Sequence, residues 1–174
     1  MSHSIPDWDT VFEEQLPRIY NYFVYRVNHR QTAEDLTATT FERAWSSREN
    51  YCADIASFST WLFTIAHRVA IDHYRKRQPN LVDIDNLYHL AGAESPENVI
   101  HAQFEKERLA NAIASLPERE QEIIALKYGA ELNNIQIAEL LNLSPSNVGT
   151  IAHRTVEQIR RILIQQEVKH AHEK

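Results

Sequence analysis

The chain has 174 residues, of which 43% are hydrophobic and 24% charged, enough to build one ordinary domain or two small ones. Three glycines and six prolines argue against turn-dense all-β folds and Gly-rich phosphate loops. The short apolar runs exclude a membrane helix, and a single cysteine, Cys52, excludes an intramolecular disulfide framework or a Cys-rich zinc site. The net charge of −6 is unevenly spread. Residues 1–80 carry 9 basic and 10 acidic side chains, residues 81–100 no basic and 4 acidic ones, and residues 101–174 again 9 and 10. An acidic stretch between two nearly neutral halves reads as two modules and a linker. The start, Met1 to Asp9, has neither a basic run nor an apolar stretch, so it is not expected to be a signal peptide; the cytoplasm is the expected compartment.

The expected fold is all-α. Trp8, Phe12, Leu16, Tyr20, Phe23 and Val27 recur every three or four residues and predict one apolar stripe, which Pro17 is expected to split into two helices. Tyr20, Tyr22 and Tyr25 read as core and interface residues. Thr32 and Asp35 resemble a capping box opening a helix that runs through Trp45, with Ala33, Leu36, Thr40, Phe41 and Ala44 facing inward. Residues 46–56 are polar and irregular. Ser57 or Ser59 then starts a long helix to about Arg77, stopped by Pro79. Residues 79–94 read as linker, with at most a short helix around Ile84–Leu90. Ser95-Pro96 opens a helix to about Ala114, and Ser115 with Glu118 is a second Ser-x-x-Glu start for a helix to about Tyr128. Asn133 opens a short helix to Leu141, and Ser144-Pro145 opens a last one to about Gln166, with a frayed tail.

Residues 134–151 carry the sharpest local pattern. A helix-turn-helix needs a small residue at the helix crossing, a turn residue that tolerates positive φ, and apolar residues from both helices. Ala138, Asn142, and Ile137, Leu141, Leu143 and Val148 supply these. The second helix would then present Ser144, Ser146, Asn147, Thr150, His153 and Arg154 outward. In a DNA-binding version such residues meet base edges, while the helix N-terminus attracts phosphate. An ordinary helical hairpin with a solvated polar face fits the same spacing. Arg160 and Arg161 lie too far along to read bases.

The helix at 57–78 mixes rings and cations. Trp61, Arg68 and Arg75 are seven apart and share a face, with Lys76 and Arg77 following. Rings can stack on unpaired bases and cations can follow the phosphate chain. Alternatively, Trp61 and Phe63 fill a core and the terminal cations complement the helix dipole. No carboxylate pair marks a hydrolase. His67 and His73 are six apart, a poor spacing for a metal, while His170 and His172 sit in the polar tail; neither a metal nor a cofactor is expected.

Three stretches together resemble the extracytoplasmic-function (ECF) class of bacterial RNA polymerase sigma factors in the sigma-70 family. They are Ala33-Glu34-Asp35-Leu36-Thr37-Ala38-Thr39-Thr40-Phe41-Glu42-Arg43-Ala44-Trp45, Phe58 through Arg75, and Leu116-Pro117-Glu118-Arg119-Glu120-Gln121-Glu122 continuing to Arg161. The resemblance implies two small helical domains joined by an acidic linker. Residues 1–78 would bind core polymerase and recognise and melt the minus-10 element, 79–95 would be the linker, and 96–174 would read the minus-35 element through the helix-turn-helix. It further implies that Glu34, Asp35, Leu36, Phe41 and Arg43 dock the polymerase clamp helices. Tyr51, Trp61, Arg68, Arg75, Lys76 and Arg77 would meet minus-10 DNA, with the loop at 49–57 capturing a flipped base. Ser144, Ser146, Asn147, Thr150, His153 and Arg154 would meet minus-35 DNA. The implied partners are the polymerase core (clamp helices and flap), promoter DNA as duplex and single strand, and an anti-sigma factor, with no membrane insertion and no catalytic residue. The expected location is cytoplasmic, on the nucleoid or held by the anti-sigma factor. Two positions depart from the family pattern. Ala38 and Thr39 stand where a Gln and an acidic residue are usual. Gly149-Thr150-Ile151 follow Val148 where a Lys-Ser-Arg run is usual, and Gly149 is expected to allow close approach to the DNA backbone. The competing readings are a stand-alone helix-turn-helix regulator and an all-α adaptor.

Overall fold

The computed structural model describes residues 7–76 and 96–172. Seven helices make up the described fold: α1 (Trp8–Val27), α2 (Arg30–Ser46), α3 (Phe58–Lys76), α4 (Pro96–Ala114), α5 (Glu118–Ile124), α6 (Asn134–Leu141) and α7 (Pro145–His172). A 3₁₀ turn, Arg48–Asn50, follows α2, and a π-turn, Ala125–Gly129, extends α5. Among the described residues there is no strand, and no helix is long and apolar enough to cross a membrane.

Several local expectations need correction. Helix α1 runs unbroken through Pro17. That residue is exposed, so the Glu13 carbonyl that loses its amide partner faces water rather than a dry core. The buried face of α1 is Val11, Ile19, Tyr22, Phe23 and Arg26, one step round from the predicted stripe; Phe12 is 45% exposed. Helix α2 starts at Arg30. His29 caps it, its Nδ1 accepting from the Thr32 amide at 3.2 Å, so Thr32 and Asp35 form no capping box. The Ser115 hydroxyl donates to the Ala112 carbonyl at 2.7 Å instead of capping α5, whose N-cap is Pro117. Helix α7 continues six residues past its predicted end, from Gln166 to His172. The linker reading at 79–95 and the role given to Arg77 lie outside the described residues.

Other starts follow the predicted chemistry. The Ser57 hydroxyl accepts from the Thr60 amide at 3.2 Å at the head of α3. The threonine-rich stretch of α2 stays helical because its hydroxyls bond back along the helix. Thr37 donates to the Ala33 carbonyl at 2.6 Å and Thr40 to the Leu36 carbonyl at 2.8 Å, so both can be buried without an orphaned polar group.

The two halves share one core. Ile19, Tyr22, Phe23, Leu62, Phe63 and Val69 of α1 and α3 pack in a continuous cluster with Ile123, Leu126, Ile137 and Val148 of the second half. Each such fully buried side chain contributes about 1.5–3 kcal/mol. The π-turn lies against α1 so closely that a Cβ on Gly129 would meet the Asn21 carbonyl oxygen at 2.9 Å. A smaller cluster, Ala112, Ile113, Leu116, Ile124 and Ile159, ties α4 and α5 to α7.

A buried charged group lies across this junction. Glu122 of α5 accepts from the Tyr22 hydroxyl at 2.8 Å and sits 2.8 Å from His67 Nδ1. Its other oxygen is 2.6 Å from Arg26 Nε, within ion-pair distance though off hydrogen-bond alignment. The Arg26 and Glu122 side chains are only 3% and 6% exposed. Burial pulls the Arg26 guanidinium down, but Glu122, Tyr74, Tyr22 and Glu118 outweigh it and hold it above its ordinary value. Burial first, then the Glu122 charge, pushes the Tyr22 phenol well above its usual 10.0. Arg18 adds a second tie, its Nε donating to the Ala130 carbonyl at 2.9 Å.

Candidate nucleic-acid interface

The helix-turn-helix is assembled from adjacent residues. Asn133 and Gln136 form a reciprocal capping box at the head of α6, with bonds of 2.9 and 3.0 Å. Asn142 adopts the left-handed conformation at φ 54°, and the following Leu143 amide bonds the Ala138 carbonyl at 2.9 Å. Ile137, Ala138, Val148 and Ala152 are buried where the two helices cross. The Ser144 hydroxyl accepts from the Asn147 amide at 3.1 Å and so heads α7.

Ser144, Ser146, Asn147, Thr150, His153 and Arg154 are all exposed on the first turns of α7. Thr150 donates to the Ser146 carbonyl at 3.0 Å, and Arg154 lies a loose 3.9 Å from Glu120. Arg160 pairs with Glu157 at 2.6 Å on the surface. Gly149 is half-buried, and a Cβ there would meet the Asn134 side chain at 3.1 Å. The glycine therefore lies at the crossing of α6 and α7, where an added methyl would press on the end of the Asn134 side chain.

The first half presents a wall of aromatic rings. Tyr51 contacts Phe58 and Trp61 with centroids 5.2 and 5.4 Å apart, and Phe58 and Trp61 are 5.3 Å apart. Trp8 extends the row, edge-on to Phe58 at 5.7 Å and to Trp45 at 5.1 Å. Edge-to-face and tilted geometries at these distances are favourable, so the rings brace one another. Phe63 is instead fully buried, edge-on to Tyr22, and belongs to the core. The turn after Tyr51 is closed by bonds from the Ile55 and Ala56 amides to the Cys52 carbonyl, and Ile55 stands 85% exposed at its tip. Arg68, Arg75 and Lys76 are exposed along α3.

Sequence reasoning missed three residues here. Trp45 is 51% exposed with the Arg48 guanidinium 4.3 Å from its ring centroid, a second stacking surface beside the first. Ile55 is an isolated apolar residue in a polar loop, which was the available signal. Asp72 had none: it accepts from Arg43 at 3.0 Å and Arg75 at 3.2 Å, linking the two predicted surfaces. The Arg43 bond, with lesser help from the Arg75 charge, holds the Asp72 carboxyl below its ordinary value, outweighing desolvation, the second-largest effect, which pushes it up.

On α2 the predicted docking set divides. Glu34, paired with Arg30 at 2.6 Å, Asp35, accepting from Gln31 at 3.3 Å, and Arg43 lie at the surface. Leu36 and Phe41 are buried, Phe41 tilted against Phe12 with centroids 4.9 Å apart, so both pack α2 onto the core. Among the described residues, no three His, Cys, Asp or Glu side chains gather as metal ligands.

The comparisons with known proteins agree with this geometry. A family model described as Sigma-70 region 2 matches residues 11–79, and one described as Sigma-70, region 4 matches residues 106–159. The ECF RNA polymerase sigma factor SigW of Bacillus subtilis is 30% identical over 160 residues, covering 83% of this chain and 85% of that one. The chain belongs to the ECF class of the sigma-70 family. This sigma factor is also 28% identical over 156 residues to sigma factor YlaC of Bacillus subtilis, covering 88% of this chain and 90% of the relative. The solved structure of the sigma factor RpoE in complex with the anti-sigma factor NepR from Bartonella quintana shares the fold. Its TM-score is 0.69 at 20% identity, covering 90% of this chain and 96% of that one.

Proposed function

We propose that this sigma factor directs core RNA polymerase to promoters by two separate readings of DNA. Family membership supports the role in transcription initiation. The exposed face of α7, behind the left-handed Asn142, is the single observation that best supports duplex reading at the minus-35 element. Asn147 suits an adenine edge, Ser144, Ser146 and Thr150 suit bases or phosphates, and His153 and Arg154 suit phosphates. The aromatic wall and the tip of the 52–55 turn suit an unpaired minus-10 base. Extruding a base costs a few kcal/mol, and stacking on a ring such as Trp61 or Tyr51 returns about 1–3 kcal/mol. Arg68, Arg75 and Lys76, with Arg77 next in the sequence, would follow the strand.

Glu34, Asp35 and Arg43 are the surface offered to the polymerase clamp helices; the flap would meet the second half. The polymerase performs nucleotidyl transfer, and this chain supplies no catalytic group. The protein acts in the cytoplasm, on the nucleoid or held by an anti-sigma factor. A stand-alone regulator would need no aromatic-cationic face. The test is transcription by core polymerase on a mixed promoter library, with and without the protein, followed by sequencing of start sites. New starts sharing two upstream motifs are expected. Tight duplex binding without polymerase, and no new starts, would overturn the reading.

A further inference from the structure

We propose that Ile71 is a sequence-reading residue of α3, which meets the methyl group of a paired thymine in the minus-10 element. The inference rests on the promoter-binding reading and deepens it, since that reading gave α3 only a ring for an unpaired base and cations for the strand.

The buried face of α3 is Thr60, Leu62, Phe63, Ala66, Val69 and Ala70, yet Ile71 stands 48% exposed on the far side. With 3.6 residues per turn, Trp61, Arg68, Ile71, Asp72 and Arg75 fall within about 100° of arc. They form one stripe that starts at the aromatic wall and ends in cations. An exposed isoleucine by itself carries no message. This one stands between Arg68, one turn before it, and Arg75, one turn after, both exposed.

Asp72 keeps the isoleucine open. Asp72 and Ile71 flank Arg75 on opposite sides of the stripe, and Asp72 accepts from Arg75 at 3.2 Å and from Arg43 at 3.0 Å. The Arg75 guanidinium is thereby drawn away from Ile71 rather than over it. Branching at Cβ stiffens χ1, so Ile71 offers a fixed apolar shape.

The chemistry of the duplex narrows the target. A cation one turn to either side suits phosphates, which set the register of a helix on DNA. Among the base edges of the major groove, thymine carries the apolar group, its C5-methyl. Helix rise sets the distance. Trp61 and Ile71 are ten residues apart, about 15 Å along α3, or between four and five base-pair steps of about 3.4 Å. The thymine therefore lies within about five base pairs of the base that stacks on the ring wall.

The test removes one methyl from the DNA and one side chain from the protein. Core polymerase with the full chain initiates on a promoter taken from the start-site library, in which each thymine of the downstream motif and its flanks is replaced singly by deoxyuridine. The wild type should lose about three- to fourfold at one position, the worth of one buried methyl group. Ile71→Ala should lose a similar factor on the unsubstituted promoter and be indifferent to uracil at that position, while Ile71→Val should keep the sensitivity. Both variants should retain their helix content by circular dichroism, since the side chain is exposed. A wild type indifferent to every replacement, a downstream motif with no thymine in that range, or an Ile71→Ala variant as sensitive as the wild type at the same base would overturn the assignment and leave the promoter reading standing. A wild type that starts no transcript on the unsubstituted promoter would sink both.

Discussion

The α7 face and the aromatic wall differ in where their residues come from. Asn133 to Arg154 are consecutive, and the caps at Asn133 and Ser144 and the left-handed turn at Asn142 that shape the α7 face lie within them. The wall draws Trp8 from α1, Trp45 from the end of α2, Tyr51 from the following loop and Phe58 and Trp61 from α3. A locally built surface should lose function one residue at a time. A wall of mutually braced rings should lose it collectively, because each ring also holds its neighbours.

The largest expected effect tests that collective behaviour. Trp61→Ala removes a stacking surface and two ring contacts at a half-buried position, costing less than the about 3–5 kcal/mol of a fully buried Trp→Ala. Transcription should fall at least about a hundredfold, and the Tyr51→Ala Trp61→Ala double variant should lose much less than the sum. Strict additivity would mean that the rings act independently.

Asn142 sets the local site. Val is β-branched and poorly suited to φ 54°, so Asn142→Val should cost roughly 1–2 kcal/mol in thermal unfolding, while Asn142→Gly should be near neutral. Equal stability of the two would show that the turn does not depend on this conformation.

The junction between the halves should respond to alkali. Tyr22 has a raised pKa in the folded chain, so the folded chain holds the phenolic proton more tightly than the unfolded one. Its contribution is complete below pH 10 and lost as pH rises from there toward the folded value. Denaturant titrations from pH 9 to 11 should show falling stability, and Tyr22→Phe should flatten the fall.

The smallest effect concerns Arg154, which is exposed and only loosely paired. Arg154→Ala should lower the salt slope of polymerase-dependent promoter binding by about 1 without altering sequence preference. A changed preference would make it a base reader.

What the sequence made legible follows the same division. The capping box at Asn133, the left-handed Asn142 and the exposed face of α7 depend on neighbours three or four residues away, and periodicity and turn chemistry reach that far. Pro17 was misread because its outcome depends on which side of the helix meets solvent, and Thr32 because His29 caps α2 three residues earlier. Glu122 stands in the run Glu118-Arg119-Glu120-Gln121-Glu122, which looks like a solvated face. Its burial is decided by Tyr22, 100 positions away, and His67, 55 away. Leu36 and Phe41 carry the family pattern, and their spacing with Ala33, Thr40 and Ala44 already placed them on the inward face that the structure buries.

The most direct test of two separate readings compares the wild type with Asn147→Ala on one promoter library. The account predicts that preference relaxes at one position of the upstream motif, by about 1–3 kcal/mol, while the downstream motif is unchanged. A shift in the downstream motif, or no shift in either, would contradict it.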